Sequence, residues 1–319
     1  MPGPHGYNKT MASPAKEFRR TEQRNSVSKN LDRMSSLEIV RLMNREDCRV
    51  ALAIGKEISA IAHAVDAIVR SIRKGGRLIY VGAGSSGRMA ILDAAECAPT
   101  FGISGELVQA LIAGGRRAVT GAVEGAEDSA QNGERDLRRK KISRKDVVVG
   151  IAASATTPYV LGAISYARKC GATTIAIASN RSGPLTRLAK ILIATEVGPE
   201  VLTGSTRLKA GSAQKMVLNM LSTASMVQLG HAYENLMIDA VLTNQKLEGR
   251  AVRILEAASG KSASSAEHAL RAAGHNMRVG LVMLKRGVNA RAAKQLLVKA
   301  KGDLRLALGE SGSKKKSHG

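Results

Sequence analysis

The chain is poor in aromatic side chains: two Phe, five Tyr and no Trp among 319 residues. Proteins that bind single-stranded nucleic acid stack bases on aromatic rings, so this supply counts against base stacking. Cysteine is limited to Cys48, Cys97 and Cys170, an odd number with no C-x-x-C pair, which points to a reducing cytoplasm. No apolar run reaches the ~18 residues of a membrane helix. The N-terminus carries charge without the apolar core of a secretory signal, so none is expected. The six His never fall at i, i+4 spacing, and no Asp/Glu/His cluster has metal-ligand spacing, so no metal is expected. Neither the Walker A pattern G-x-x-x-x-G-K-[ST] nor the G-x-S-x-G elbow occurs, which leaves triphosphate chemistry by that route and a Ser-His-Asp hydrolase without support.

Acidic residues are scarce too. Against 49 Lys and Arg stand 26 Asp and Glu, a net charge of +23. Residues 1–20 carry +3 and residues 285–319 carry +8, leaving +12 for the 264 residues between them. Half of the excess therefore sits near the ends, including Lys314–Lys316 in a solvated tail. No helix-turn-helix placement or zinc-finger spacing accompanies the charge, so specific nucleic-acid binding is not expected beyond loose attraction to polyanions. A positive surface equally suits a small anionic substrate such as a phosphosugar.

Helical spacing runs from Leu31 to about Arg73, with Ser35 or Ser36 as N-cap, and Gly75-Gly76 closes that region. Five short apolar runs then alternate with helical stretches: Leu78–Val81, Leu107–Ile112, Asp146–Ile151, Thr173–Ala178 and Ile191–Thr195. That alternation predicts βαβ units and an α/β fold, a doubly wound parallel sheet covered on both faces. Pro99 is expected to stop the helix that follows the first strand, and a long apolar helix is expected over Ala213–Leu229. The expected organisation is a basic tail at 1–20, a helical segment at 21–61, a sheet domain at 62–230, a small helical bundle at 231–309 and a second basic tail at 310–319.

Ligands of open parallel sheets bind beyond the carboxyl ends of the strands. Three loops there are rich in Gly and hydroxyls. The first, Gly82–Gly87, reads G-x-G-x-x-G, but the next strand ends in Ile112-Ala113-Gly114-Gly115 without the ribose-binding acid of a dinucleotide site. The second holds Ser154, Thr156 and Thr157 before a helix and suits a phosphate dianion, whereas simple capping would need one hydroxyl. The third, Gly198–Gly211, combines Glu200, Ser205, Thr206, Arg207 and Lys209, as an anion site or as a solvated loop. Spacing alone leaves Glu96 and Glu127 as surface charges or as an acid–base pair, with Glu124 as a surface charge and Asp128 as a possible helix cap.

Seven blocks, in order, carry a resemblance: TEQRN at 21–25, VGAGSSGRMAILDAAECAPTFG at 81–102, IAGG at 112–115, VEGAEDSA at 123–130, DVVVGIAASATTPYV at 146–160, GPEVLTGSTRLKAGSAQKMVLNMLST at 198–223 and NLMID at 235–239. They resemble the N-acetylmuramic acid 6-phosphate etherases, which have the sugar isomerase (SIS) fold. The match spans 21 to 309. It implies cleavage of the D-lactyl ether at C3 of the phosphosugar, giving N-acetylglucosamine 6-phosphate and D-lactate in cell-wall recycling. By that resemblance Glu96 is the acid to the lactyl oxygen, and Glu127 is the base at C2. Ser154 and Thr157 hold the 6-phosphate, Ser85, Ser86 and Arg88 line the first loop, and Glu200, Ser205, Thr206 and Lys209 approach from the third. The family works as a homodimer, so one subunit can complete the other's site.

The family's A-A-S-G-R-T-P-Y differs here: Ala155 stands for the Gly and Thr156 for the Arg. Losing the Gly restricts the loop if φ must be positive, and losing the Arg removes an anion contact. A non-catalytic sensor like the glucokinase regulatory protein is the alternative, and keeping both Glu96 and Glu127 argues against it.

Overall fold

The computed structural model describes residues 20–310, so the tails expected at 1–20 and 310–319 lie, apart from Arg20 and Glu310, outside the described residues. In chain order it contains α1 (Ser36–Gly55), α2 (Ile58–Arg73), β1 (Leu78–Gly82), α3 (Gly84–Phe101), β2 (Val108–Ile112), α4 (Arg117–Thr120) and α5 (Ala130–Arg139). Then follow β3 (Val147–Ile151), α6 (Pro158–Lys169), β4 (Thr173–Ala178), α7 (Pro184–Leu188), β5 (Ile191–Ala194) and α8 (Lys209–Gln228). Five helices complete the chain: α9 (Gln245–Ser259), α10 (Ala263–Ala272), α11 (Met277–Arg286), α12 (Ala290–Lys299) and α13 (Leu304–Leu308).

All strand pairs are parallel, in the order β2-β1-β3-β4-β5. The direction of winding reverses between β1 and β3, the position at which open α/β sheets place a ligand crevice. Alternation along each strand divides the apolar residues between two layers. Leu78, Tyr80, Val147, Val149, Ile175 and Ile177 face the core shared with α1, α2, α3 and α8. Ile79, Val81, Val148, Ala176 and Ala178 face the core shared with α5 and α6. The C-terminal helices surround a third core of their own, which includes Tyr233 and Ile238. Asp239 links this bundle to the sandwich: its carboxylate accepts from the Arg278 guanidinium, and His231 Nδ1 lies 2.8 Å from Oδ2. Burial alone would raise the Asp239 pKa, but Arg278 and His231 hold it below the ordinary value.

Ser35 caps α1 in a reciprocal capping box with Glu38. Three expectations need correction. Pro99 does not end α3, which runs on to Phe101. A proline costs the helix one N–H bond. Here the buried Phe101 ring anchors the last turn, and the left-handed Gly102 closes it by donating to the Ala98 carbonyl. The helix expected from Ala213 starts one turn earlier, at Lys209. Ser129, not Asp128, caps α5 by accepting from the Asn132 N–H.

Helices α5 and α6 approach through two glycines. A methyl group at Gly162 would overlap the carbonyl oxygen of Ala130, and one at Gly133 would overlap that of Tyr159. This approach matters for the sheet's ligand end, because the Tyr159 N–H donates to the Glu127 carbonyl over 3.0 Å. Gly162→Ala must push backbone against backbone, and we expect a loss of about 1–3 kcal/mol with a lower thermal midpoint in calorimetry. An unchanged midpoint would contradict the packing described.

Candidate active site at the carboxyl edge of the sheet

Beyond β1 and β2 lies a cleft with about 620 Å³ of empty space, lined by Gly84, Arg88, Val123, Glu124 and Glu127 among others. Helix α3 opens on it. Its N-cap, Ala83, has no side-chain acceptor to offer, so the amides of the first turn and the half-buried hydroxyls of Ser85 and Ser86 face the cleft end of the helix. Helix α6 is likewise without a side-chain cap at Thr157. In α6, however, the first residue is Pro158 and the Tyr159 N–H is taken by the Glu127 carbonyl, so the uncommitted amides of α3 form the partly positive edge suited to an anion.

The Arg88 guanidinium is spent locally. It donates to the carbonyls of Ala118, Val119 and Gly121 at 3.1, 3.0 and 2.7 Å, and so fixes the wall of the cleft. Glu127 is exposed on that wall, and among the described residues its carboxylate has no polar partner. Glu96 is exposed and also without a polar partner, but it sits elsewhere. It lies twelve residues beyond Gly84 on α3, which is roughly 18 Å along the axis at 1.5 Å per residue. Glu96 is thus not among the residues that line the cleft beside Glu127.

In the second loop, Ser154 Oγ accepts from the Thr156 N–H at 3.2 Å and the Thr156 hydroxyl at 2.9 Å. The Asn180 amide donates to the Ala153 carbonyl at 3.1 Å and clamps the loop to the end of β4. Ala155 adopts a left-handed backbone, φ +61°, a conformation that costs an L-residue ~1–2 kcal/mol. It is fully buried, and its carbonyl accepts the Leu185 N–H at 3.0 Å. Gly183 passes so close that a Cβ there would come within 2.8 Å of the Ala155 methyl. The loop thus keeps the geometry natural to glycine and accommodates the methyl against Gly183.

The third loop is held from inside. Glu200 is wholly buried and caps α8, accepting from the N–H groups of Lys209 and Ala210 at 3.0 and 2.9 Å. This explains the early start of α8. Burial raises the Glu200 pKa, and the two amides pull it back only in part. Lys209 is turned inward at 2% exposure, with Nζ 2.6 Å from Glu46 Oε2. The same oxygen accepts from Asn25 Nδ2 at 2.9 Å, and Asn25 also donates to the Pro199 carbonyl at 3.1 Å. Lys209 and Glu200 therefore serve as the loop's internal frame, while Ser205 and Thr206 remain half-buried at its surface.

Sequence reasoning missed Glu46, although its signal was there. In α1 it follows Leu42 and precedes Val50 at four-residue spacing, an acid in the middle of the buried stripe. It also missed the polar cluster around Asp93, which accepts from Tyr80 at 2.9 Å, Asn219 at 2.7 Å and Ser222 at 3.0 Å. Burial, with Asp93 beside it, pushes the neighbouring Cys97 thiol up to about 12, so it stays protonated and is no nucleophile.

The SIS domain profile matches residues 126–224, and that of the glucokinase regulatory protein N-terminal SIS domain matches 60–168. The N-acetylmuramic acid 6-phosphate etherase of Actinobacillus pleuropneumoniae serotype 5b is 50% identical over 288 residues, 90% of this chain and 95% of its own. That of Geobacillus sp. strain WCH70 is also 50% identical, over 90% of this chain and 98% of its own. The chain belongs to the N-acetylmuramic acid 6-phosphate etherase family. Among the described residues of this etherase-family chain, no helix is long and apolar enough to cross a membrane.

Two outcomes follow from the buried frame. Glu46→Ala strands the Lys209 ammonium, and removing one partner of a buried pair costs about 3–5 kcal/mol. Converting both residues to apolar ones should recover most of that loss in urea melts. Burial alone would raise the Glu46 pKa, yet Lys209 and Asn25 bring it below the ordinary 4.5. A lowered folded value means that the stabilisation is whole above 4.5 and fades as the pH falls through the folded pKa. Acid titration of stability should be shallower in Glu46→Gln than in the parent; equal slopes would count against the pair.

Proposed function

We propose that this protein cleaves the D-lactyl ether of N-acetylmuramic acid 6-phosphate to N-acetylglucosamine 6-phosphate and D-lactate, acting in the cytoplasm on amino sugar recovered from cell wall. The observation that carries this reading is the presence of both Glu96 and Glu127 in a chain half identical to etherases over nearly its whole length. The open-chain sugar has an aldehyde at C1 that acidifies the proton on C2. Glu127 removes that proton, Glu96 protonates the departing lactyl oxygen, and water then adds across the C2–C3 double bond with Glu127 as base. Each step moves a proton and breaks or makes a carbon–oxygen bond at C3, so two well-placed carboxyl groups suffice.

The 6-phosphate binds between the uncapped end of α3 and the loop before α6, where Ser85, Ser86, Ser154 and Thr157 add hydroxyls to the backbone amides of α3. Ser205 and Thr206 reach the sugar from the third loop, which Glu200 and Lys209 hold in place. Arg88 shapes the wall that carries Glu127.

The working unit in this reading is a homodimer. Glu96 lies eight residues along α3 beyond Arg88, the last residue of that helix to line the cleft, which is roughly 12 Å at 1.5 Å per residue, more than one sugar spans between two reacting atoms. Glu96 of one subunit therefore serves the cleft of the other.

The test is D-lactate release from N-acetylmuramic acid 6-phosphate. Glu96→Gln and Glu127→Gln should each lower kcat by about 10²–10⁴-fold, with folding intact. In H₂¹⁸O the label should enter the sugar at C3 and not the lactate. Binding of the sugar phosphate without any lactate would instead favour a sensor, the reading to which the glucokinase regulatory protein profile lends itself.

A further inference from the structure

At the opposite edge of the sheet, where the strands begin, a second concavity holds about 590 Å³ of empty space. Five cations converge on it from separate parts of the chain: Arg70 and Lys74 at the end of α2, Arg144 and Lys145 before β3, and Lys190 before β5. All five are exposed, and the lining contains no acid. Among the described residues none of the five has a carboxylate partner, whereas Arg77, Arg181, Arg278 and Lys285 are each paired. The nearest acids in sequence are otherwise placed: Asp146 is buried and taken by Arg77, and Asp66 lies one turn before Arg70 without an ion pair to it.

Cations at the end of α2 complement the helix dipole, which accounts for Arg70 and Lys74 alone. It does not account for Arg144, Lys145 and Lys190. Like charges gathered in a concave, low-dielectric surface repel one another and focus the field on the space between them. We propose that this pocket binds a short phosphate chain, two or three linked phosphates with their charge spread over several anionic centres. One phosphate meets only part of a ring of cations supplied by three segments. The lining contains no aromatic ring to stack a base, so the phosphate chain itself is the recognised group, whether free or as the tail of a nucleotide. Thr173 adds a hydroxyl to the rim, while the Ser71 hydroxyl is spent on the Lys145 carbonyl.

This pocket shares no lining residue with the cleft that carries Glu127, so the two readings stand or fall separately. The test is calorimetric titration of the full chain with inorganic tripolyphosphate, orthophosphate and ATP at two salt concentrations. Saturable tripolyphosphate binding is expected, tighter than that of orthophosphate, weakening with salt, and matched but not exceeded by ATP. The double variant Arg144→Ala/Lys190→Ala should weaken it roughly tenfold or more, with the ligand-free thermal midpoint and lactate release unchanged. The proposal fails if tripolyphosphate does not bind saturably or if the double variant binds it as well as the parent. It fails equally if ATP or a short oligonucleotide binds more tightly than tripolyphosphate and loses that binding in the variant.

Discussion

The buried ion pair between Lys209 and Glu46 is the constraint on which the ligand end of the molecule depends. Its oxygen also takes Asn25, and Asn25 takes the Pro199 carbonyl, so one carboxylate joins the N-terminal segment, α1 and the loop into α8. Two charges at this depth forfeit hydration and regain it only through close geometry and extra hydrogen bonds. Both are present. The pair is thus a device for fixing position more than a source of net stability, and what it positions is the loop of Ser205 and Thr206. Glu200 completes the frame by ending the orphan amides of α8 from the same side.

The strands were legible in the sequence for a simple reason. A parallel sheet covered on both faces needs unbroken apolar runs, and Leu78–Val81 and Val147–Val149 have no other plausible use. The alternation with helices then leads to the winding order. Less legible were features in which tertiary contact overrides a local signal. Pro99 reads as a stop until Phe101 is seen anchoring the turn beyond it. Asp128 and Ser129 are both good caps on paper, and only backbone geometry selects Ser129. Lys209 reads as an anion ligand in its loop because nothing nearby in sequence reveals that Glu46, in a different helix, neutralises it. The candidate site was legible through resemblance, not through spacing: Glu96 and Glu127 look like ordinary surface acids until the surrounding blocks are recognised.

The two edges of the sheet have different chemistry. The cleft at the carboxyl edge offers amides, hydroxyls and carboxylates, and the one guanidinium in its lining, Arg88, is committed to carbonyls. The amino edge concentrates unpaired cations. Part of the chain's high positive charge is thereby placed far from the cleft that suits a phosphosugar, and need not be read as a property of that cleft. In the second loop, Ala155 keeps a left-handed backbone without glycine's freedom, and Gly183 is the compensating neighbour. The loop shape is preserved at some local strain.

The central proposal, that each active site is assembled from two subunits, rests on Glu96 lying along α3 beyond the residues that line the cleft of its own chain. Mixing inactive subunits tests this most directly. Glu96→Gln and Glu127→Gln chains, unfolded together and refolded or co-expressed, form mixed dimers in which one of two shared sites carries both native glutamates. The account predicts that lactate release returns to about a quarter of the parent activity, as expected for random pairing of two dimer-forming chains. A mixture as inactive as either variant alone would contradict it and place both glutamates of a working site within one chain.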